Sequence, residues 1–267
     1  NDGREDSGIY INWGSNNTVS GSVIRTRAIT NGAGIDLVGT LNPTLINNTI
    51  DINYTFFTAS NLVTTARGGI TLQGANGTTL TNNTIFIRLL TATYPTSSSV
   101  MIPGVFWGPF GINIGYSLNA TLKGNNCTGQ GGSCFSLTGI ANEDFNHTIE
   151  NSNIINGGVL NYTKDFSNGV ISAVNSSTGL IVVVNSNNVT LKNSNFIGDG
   201  VQIYKSHNAN ITNLTFVSSS GEVGILATFS DNISISSSTV TINGQIVTST
   251  TAVGLYLTSL SNARASY

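Results

Sequence analysis

The sequence predicts an all-β chain built as a single-stranded parallel β-helix, about nine coils of three short strands each. Two observations carry that prediction. Short polar residues dominate the 267-residue chain, with 36 Asn, 34 Thr and 31 Ser, types that favour turns and strands over helix interiors. A Gly followed by an apolar-x-apolar triplet also recurs from one end to the other.

The copies begin at Gly8, Gly34, Gly69, Gly111, Gly179, Gly200, Gly224 and Gly254, with a degenerate copy at Gly139. Each opening triplet, such as Ile9-Tyr10-Ile11, alternates as a half-buried strand does. Eight residues after the Gly an Asn marks a turn, at Asn16, Asn42, Asn119, Asn187, Asn208, Asn232 and Asn262, slipping one place at Asn76 and Asn146. Asn tolerates positive φ, and a stacked Asn column at this first turn suits an amide ladder from coil to coil. An apolar residue three positions on (Val19, Leu45, Leu80, Leu122, Ile211, Ile235) marks the second strand. A second polar pair such as Asn47-Asn48 or Asn82-Asn83 then precedes a third apolar site at Ile50, Ile85, Phe196, Phe216 and Val240. Copy starts lie 26, 35, 42, 28, 40, 21, 24 and 30 residues apart, so the shortest intervals approximate a bare coil and the others carry loops.

Charged residues are only 8% of the chain and the net charge is −2, which leaves no basic stretch for a nucleic acid or an anionic membrane face. The longest plain apolar run, residues 180–184, falls far short of the ~20 residues of a membrane-spanning helix. With no initiating Met and no signal peptide, residues 1–267 are expected to form one β-helix domain, a processed or excised part of a longer chain. Cys127 and Cys134 enclose six flexible residues; they are read either as a local disulfide contributing about 2.5 kcal/mol or as two unpaired buried thiols.

The repeat Gly-Ile-x-Ile-x-x-Ser-x-Asn-x-Thr-Ile-x-Asn-Asn-x-Ile, matched well by residues 8–24, 69–87, 111–127 and 179–197, resembles that of the right-handed parallel β-helix, or pectin-lyase-like, superfamily. The resemblance covers nearly the whole chain. It implies the fold and the right hand of the coil, and leaves lyases, hydrolases, epimerases, adhesins and inert rods all open.

Catalysis on this fold would gather acids on one outer face, yet the twelve Asp and Glu scatter over the repeat frame. The polygalacturonase elements reduce here to Gly198-Asp199-Gly200, in which a Gly stands at the second Asp, and the other elements are absent. A lyase-like Ca²⁺ cluster has one local candidate, Glu143-Asp144 beside His147 and Glu150, read as an ordinary solvated turn because adjacent strand residues point to opposite faces. His207 is read as a surface turn residue, with no second His or Cys at ligand spacing. No catalytic residue, metal site or cofactor is assigned.

Fourteen Asn-x-Ser/Thr sequons stand at Asn16, Asn47, Asn53, Asn76, Asn82, Asn119, Asn126, Asn146, Asn161, Asn175, Asn188, Asn210, Asn213 and Asn232, twelve of them with Thr. Turn Asn followed by strand Thr makes some of them a by-product of the repeat, but Asn53, Asn161 and Asn175 lie outside it. Heavy N-glycosylation would keep a charge-poor surface wet. Two excursions, residues 54–67 and 88–110, come off consecutive copies, and the second carries Phe106, Trp107 and Phe110, a contact or sugar-stacking loop if it does not simply fold onto the flank. Seven residues before Gly8 and a part-coil after Gly254 leave both ends uncapped, so contact with flanking domains or with further copies head-to-tail is expected. Together these readings describe a non-catalytic, N-glycosylated extracellular rod, structural or adhesive, in a cell-surface filament or surface layer. The alternative is a polysaccharide lyase or hydrolase, or a carbohydrate-binding β-helix.

Overall fold

The computed structural model describes residues 7–28, 32–57, 68–93, 110–130, 133–172, 178–218, 223–242, 253–258 and 264–266. The fold is a parallel β-helix. Its first five coils are regular and three-sided. Face A stacks Ile9–Asn12, Ile35–Val38, Ile70–Gln73, Ile112–Gly115 and Phe135–Thr138 in parallel register. Face B stacks Thr18–Ser20, Thr44–Ile46, Thr79–Thr81, Thr121–Lys123 and Thr148–Ile149. Face C stacks Val23–Ala28, Thr49–Phe57, Thr84–Thr93, Asn126–Gln130 and Ile154–Ile155. Inward residues from all three faces, among them Ile35, Leu37, Leu45, Ile50, Ile70, Leu80 and Ile85, are fully buried in one core.

The repeat Gly has a steric cause. A Cβ on Gly34 would meet Ile50 Cγ2 at 2.2 Å and the Gly69 carbonyl at 2.6 Å, so only hydrogen fits where face C turns into face A. In the fifth coil that place is held by Cys134, and its Sγ bonds Cys127 on face C with the Cα atoms 5.7 Å apart. The fifth coil thus begins at Cys134, and the copy expected at Gly139 is displaced: Gly139 directly follows the Phe135–Thr138 strand.

After the fifth coil the chain reverses. Ile154 pairs Val159 and Ile155 pairs Gly158 antiparallel, around Asn156 (φ 50°) and Gly157 (φ 83°). Two positive-φ residues between such pairs make a two-residue hairpin of the type that Asn-Gly favours. The reversal divides the coils into two stacks, which the repeat spacing alone did not reveal. A second parallel stack follows, and its first copy opens at Gly158, which carries Gly158–Lys164 beside Thr178–Val184. The latter pairs with the end of the long Asn187–Tyr204 strand, and Val223–Thr228 and Val253–Thr258 follow in the same ladder.

The wall formed by these strands lies between two cores. Leu180, Val182, Val184, Tyr204 and Leu226 face the first stack's core; Ile181, Val183, Val201, Ile203 and Ile225 face a second one. Alternating side chains buried on both sides require a strand with no polar position, hence the run 180–184.

This wall also closes the first stack. The edge strand Phe135–Thr138 meets no further strand at its start. Instead the buried Asp199 carboxylate accepts from Cys134 N (2.7 Å), Phe135 N (3.2 Å) and Ser133 Oγ (2.9 Å), and Gln202 Nε2 donates to Phe135 O (3.1 Å). Tyr204 stacks on Phe145 with centroids 5.2 Å apart, and Tyr162 Oη donates to the Phe145 carbonyl.

Candidate functional site

The turns sort asparagines into two kinds. Between faces B and C, Asn48, Asn83, Asn125 and Asn153 are buried and form a continuous amide ladder. Each Nδ2 donates to the Oδ1 of the next coil's Asn, at 3.0, 2.9 and 2.9 Å, and also to a backbone carbonyl one coil back. The same Oδ1 atoms accept the backbone N–H of the preceding rung. The row ends where Asn153 Nδ2 turns onto the Glu150 carbonyl at 2.6 Å. The amide ladder expected at the first turn forms there in short exposed runs, and the continuous buried one sits at the second turn, where the corner is too tight for water to serve those groups.

At the first turn the asparagines are exposed. Asn16, Asn42, Asn119, Asn188, Asn208 and Asn232 all have φ between 50° and 55°, the left-handed conformation that Asn tolerates. Their amides join in short runs: Asn232 Nδ2 donates to Asn208 Oδ1 (2.5 Å) and Asn208 Nδ2 to Asn187 Oδ1 (2.9 Å), while Asn42 with Asn16 (3.5 Å), Asn146 with Asn119 (3.2 Å) and Asn188 with Asn168 (2.7 Å) pair across single steps.

Sequons fall on the outward kind. Asn16, Asn47, Asn82, Asn119, Asn126, Asn146, Asn188, Asn210, Asn213 and Asn232 are exposed, and Asn53, Asn76 and Asn161 are half-buried. No ladder Asn carries the motif. Asn175, Phe106 and Trp107 lie outside the described residues. Phe110 is half-buried and its carbonyl accepts from Gly69 N at 2.7 Å, which ties the second excursion's return to face A. Both excursions leave face C as paired strands, Tyr54 opposite Leu89 and Phe57 opposite Thr93.

The acids considered for catalysis are occupied structurally. Asp144 Oδ2 accepts from Ile140 N (2.8 Å) and Ala141 N (2.9 Å), and Glu143 to Phe145 form a short 3-10 turn. Asp199, of the Gly198-Asp199-Gly200 element, clamps the edge of face A. His147 is buried, its Nδ1 accepting from Ala120 N at 3.2 Å, and burial pushes its pKa down from 6.5 to about 4, so it is neutral at pH 7. His207 is exposed and pairs through Nδ1 with Asp231. A shallow cleft of about 250 Å³ between the stacks is lined by Glu143, Asn146, Lys164, Asp165 and Asn185, and Lys164 Nζ is bonded to Asn146 Oδ1. Among the described residues no three His, Cys, Asp or Glu side chains converge as metal ligands.

One feature escaped the sequence reading: aromatic residues at the first corner. Trp13, Tyr116 and Phe229 each follow a face-A-type strand with φ of 55°, 50° and 51°. They are 79, 49 and 40% exposed. The signal was present as an aromatic where neighbouring copies carry Gly, Asn, Asp or Lys.

No protein-family model matches the chain, and no curated protein does. Among solved structures the chain is similar to the A-module of the mannuronan C-5 epimerase AlgE6 of Azotobacter vinelandii, at 16% identity and a TM-score of 0.41, over 95% of this chain. The chain spans 65% of that module's length. A second similarity, to the fluoroquinolone-resistance protein QnrB1, has 11% identity and a TM-score of 0.16 over 92% of each chain.

Proposed function

We propose that this chain is a non-catalytic, heavily N-glycosylated extracellular rod, structural or adhesive, belonging to a cell-surface filament or layer. The observation that carries the reading is the division of asparagines: of the thirteen described sequons ten are exposed and three half-buried, whereas the four buried ladder asparagines lack the motif. Sugar on the outward corners would supply the hydration that a surface with 8% charged residues lacks. Asp144 and Asp199, the acids nearest to family catalytic motifs, spend their oxygens on backbone N–H groups.

The outermost strands support the axial part of the proposal. Among the described residues, Ile9–Asn12, Thr18–Ser20 and Val23–Ala28 are the first strands of the three ladders of the first stack, and Val253–Thr258 is the last of its ladder in the second. Such edges take another strand by main-chain hydrogen bonding. Glycopeptide mapping of material secreted by a glycosylating host tests the first part of the proposal. Sugar is expected on most sequons, and bare peptides throughout would end it. Electron microscopy at high concentration tests the second, with filaments or sheets expected and isolated particles counting against assembly.

A further inference from the structure

Aromatic side chains are disfavoured in the left-handed region, and exposing them forfeits the burial that normally recommends them. Trp13, Tyr116 and Phe229 do both, at one structurally equivalent position. Register places Trp13, Gly39, Gly74 and Tyr116 directly after the first four face-A strands, and Asp165, Asn185, Lys205 and Phe229 directly after the matching strands of the second stack; Gly139, after the fifth face-A strand, leads into the 3-10 turn without positive φ. These eight all have positive φ, a conformation that favours Gly or Asn.

What distinguishes the three aromatic copies is the residue three places on. Trp13 precedes Asn16-Asn17-Thr18, Tyr116 precedes Asn119-Ala120-Thr121, and Phe229 precedes Asn232-Ile233-Ser234. Each of these Asn residues is an exposed sequon in the left-handed conformation. At the five non-aromatic copies the corresponding residues are Asn42, whose motif Pro43 breaks, Gly77, Asn168, Asn188 and Asn208, and only Asn188 is a sequon.

We propose that Trp13, Tyr116 and Phe229 are platforms for the first sugar of N-glycans on Asn16, Asn119 and Asn232. The aromatic and the Asn occupy the two left-handed positions of one corner, both exposed, separated by two residues. A pyranose joined to Nδ2 has an apolar face of C–H bonds, and laying it on a ring removes apolar surface of both from water. All three rings are at least 40% exposed. Trp13 lies over Gly39, where an added Cβ would come within 2.8 Å of the indole, so its opposite face is the exposed one. Lys205 Nζ stands 5.8 Å from the Phe229 centroid, also from the neighbouring coil.

The inference rests on the glycosylation reading above and is separable from it. The test uses the full chain secreted with its glycans, in a thermal cycle of wild type, Tyr116→Ala, Asn119→Gln and the double variant, with occupancy of Asn119 read by glycopeptide mapping. With the glycan present, Tyr116→Ala should lower Tm by about 2–4 °C. Without it the same change should leave Tm unchanged or raise it, because Ala gives up no sugar contact. The same cycle at Phe229 and Asn232 should behave alike, and one at Asn185 and Asn188, which lacks an aromatic, should show no coupling. Proton NMR adds a readout that folding alone does not move: sugar protons on Asn119 shifted upfield by the ring, returning to ordinary positions in Tyr116→Leu. Occupied sites with zero coupling and unshifted sugar protons would overturn the platforms while leaving glycosylation standing. A bare Asn119 in a chain glycosylated elsewhere would overturn the platform at Tyr116, and bare sequons throughout would overturn both readings.

Discussion

His147 shows how one side chain reports on the whole stack. It occupies an inward corner position, opposite Ala120 in the coil before, and burial holds its pKa near 4 against the usual 6.5, with the Asp144 backbone carbonyl partly opposing and Lys164 adding to the shift. Above pH 6.5 the imidazole is neutral folded or unfolded. As pH falls from 6.5 towards 4 the unfolded chain takes the proton first, so stability declines through that window by about 3 kcal/mol, and the loss is complete below it. Urea midpoints for wild type should drop between pH 7 and 4.5, and His147→Asn, which keeps an acceptor for Ala120 N, should flatten that part of the drop. Equal slopes in both proteins would remove His147 from the account. Asn83 is the second residue-scale case: truncating it to Ala leaves Asn48 N and Asn48 Nδ2 without their shared acceptor inside the wall. A cost of about 2–4 kcal/mol is expected in chemical denaturation, well above that of Asn82→Ala on the exposed neighbour.

Among the elements, the hairpin at Asn156 and Gly157 decides the architecture, because it turns a continuous stack into two. Gly157 sits at φ 83°, which a β-branched residue cannot hold without strain, so Gly157→Val should lower Tm by several degrees, about 2 kcal/mol or more, where Gly157→Asn, which tolerates positive φ, costs less. Equal losses in the two variants would mean that positive φ is not what the hairpin requires at Gly157. Here the sequence was only partly readable. The three strands per coil and their inward residues follow from period and composition, and Leu45, Leu80 and Leu122 stand where the alternation puts them. The coil beginning at Cys134 was missed because a cysteine stands where the other coils have Gly, its Sγ bonded to Cys127 on face C. Asn156-Gly157 is a strong hairpin signal, but among so many Asn and Gly it does not stand out. The buried ladder at the second turn was not legible for a related reason: both turns contain Asn and both carry amide contacts, and only packing shows which turn is shut off from water.

For the whole molecule, the junction between stacks depends on few polar contacts. Asp199 binds two backbone N–H groups and one hydroxyl of the first stack from a strand of the second, so Asp199→Ala should leave Cys134 and Phe135 amides unpaired at a buried seam. Hydrogen exchange at those two amides should accelerate at least tenfold, with faces A and B of the first three coils unchanged; uniform protection would show that apolar contacts alone hold the seam. The amide ladder has one more consequence. Asn48, Asn83 and Asn125 each give a proton to the amide of the coil ahead, and the last, Asn153, gives its two contacts to carbonyls alone. A coil added between Asn48 and Asn125 is therefore complete at the moment it arrives, provided it brings its own Asn, since it breaks one handshake and makes two. The rod can change length by whole coils without renegotiating either end.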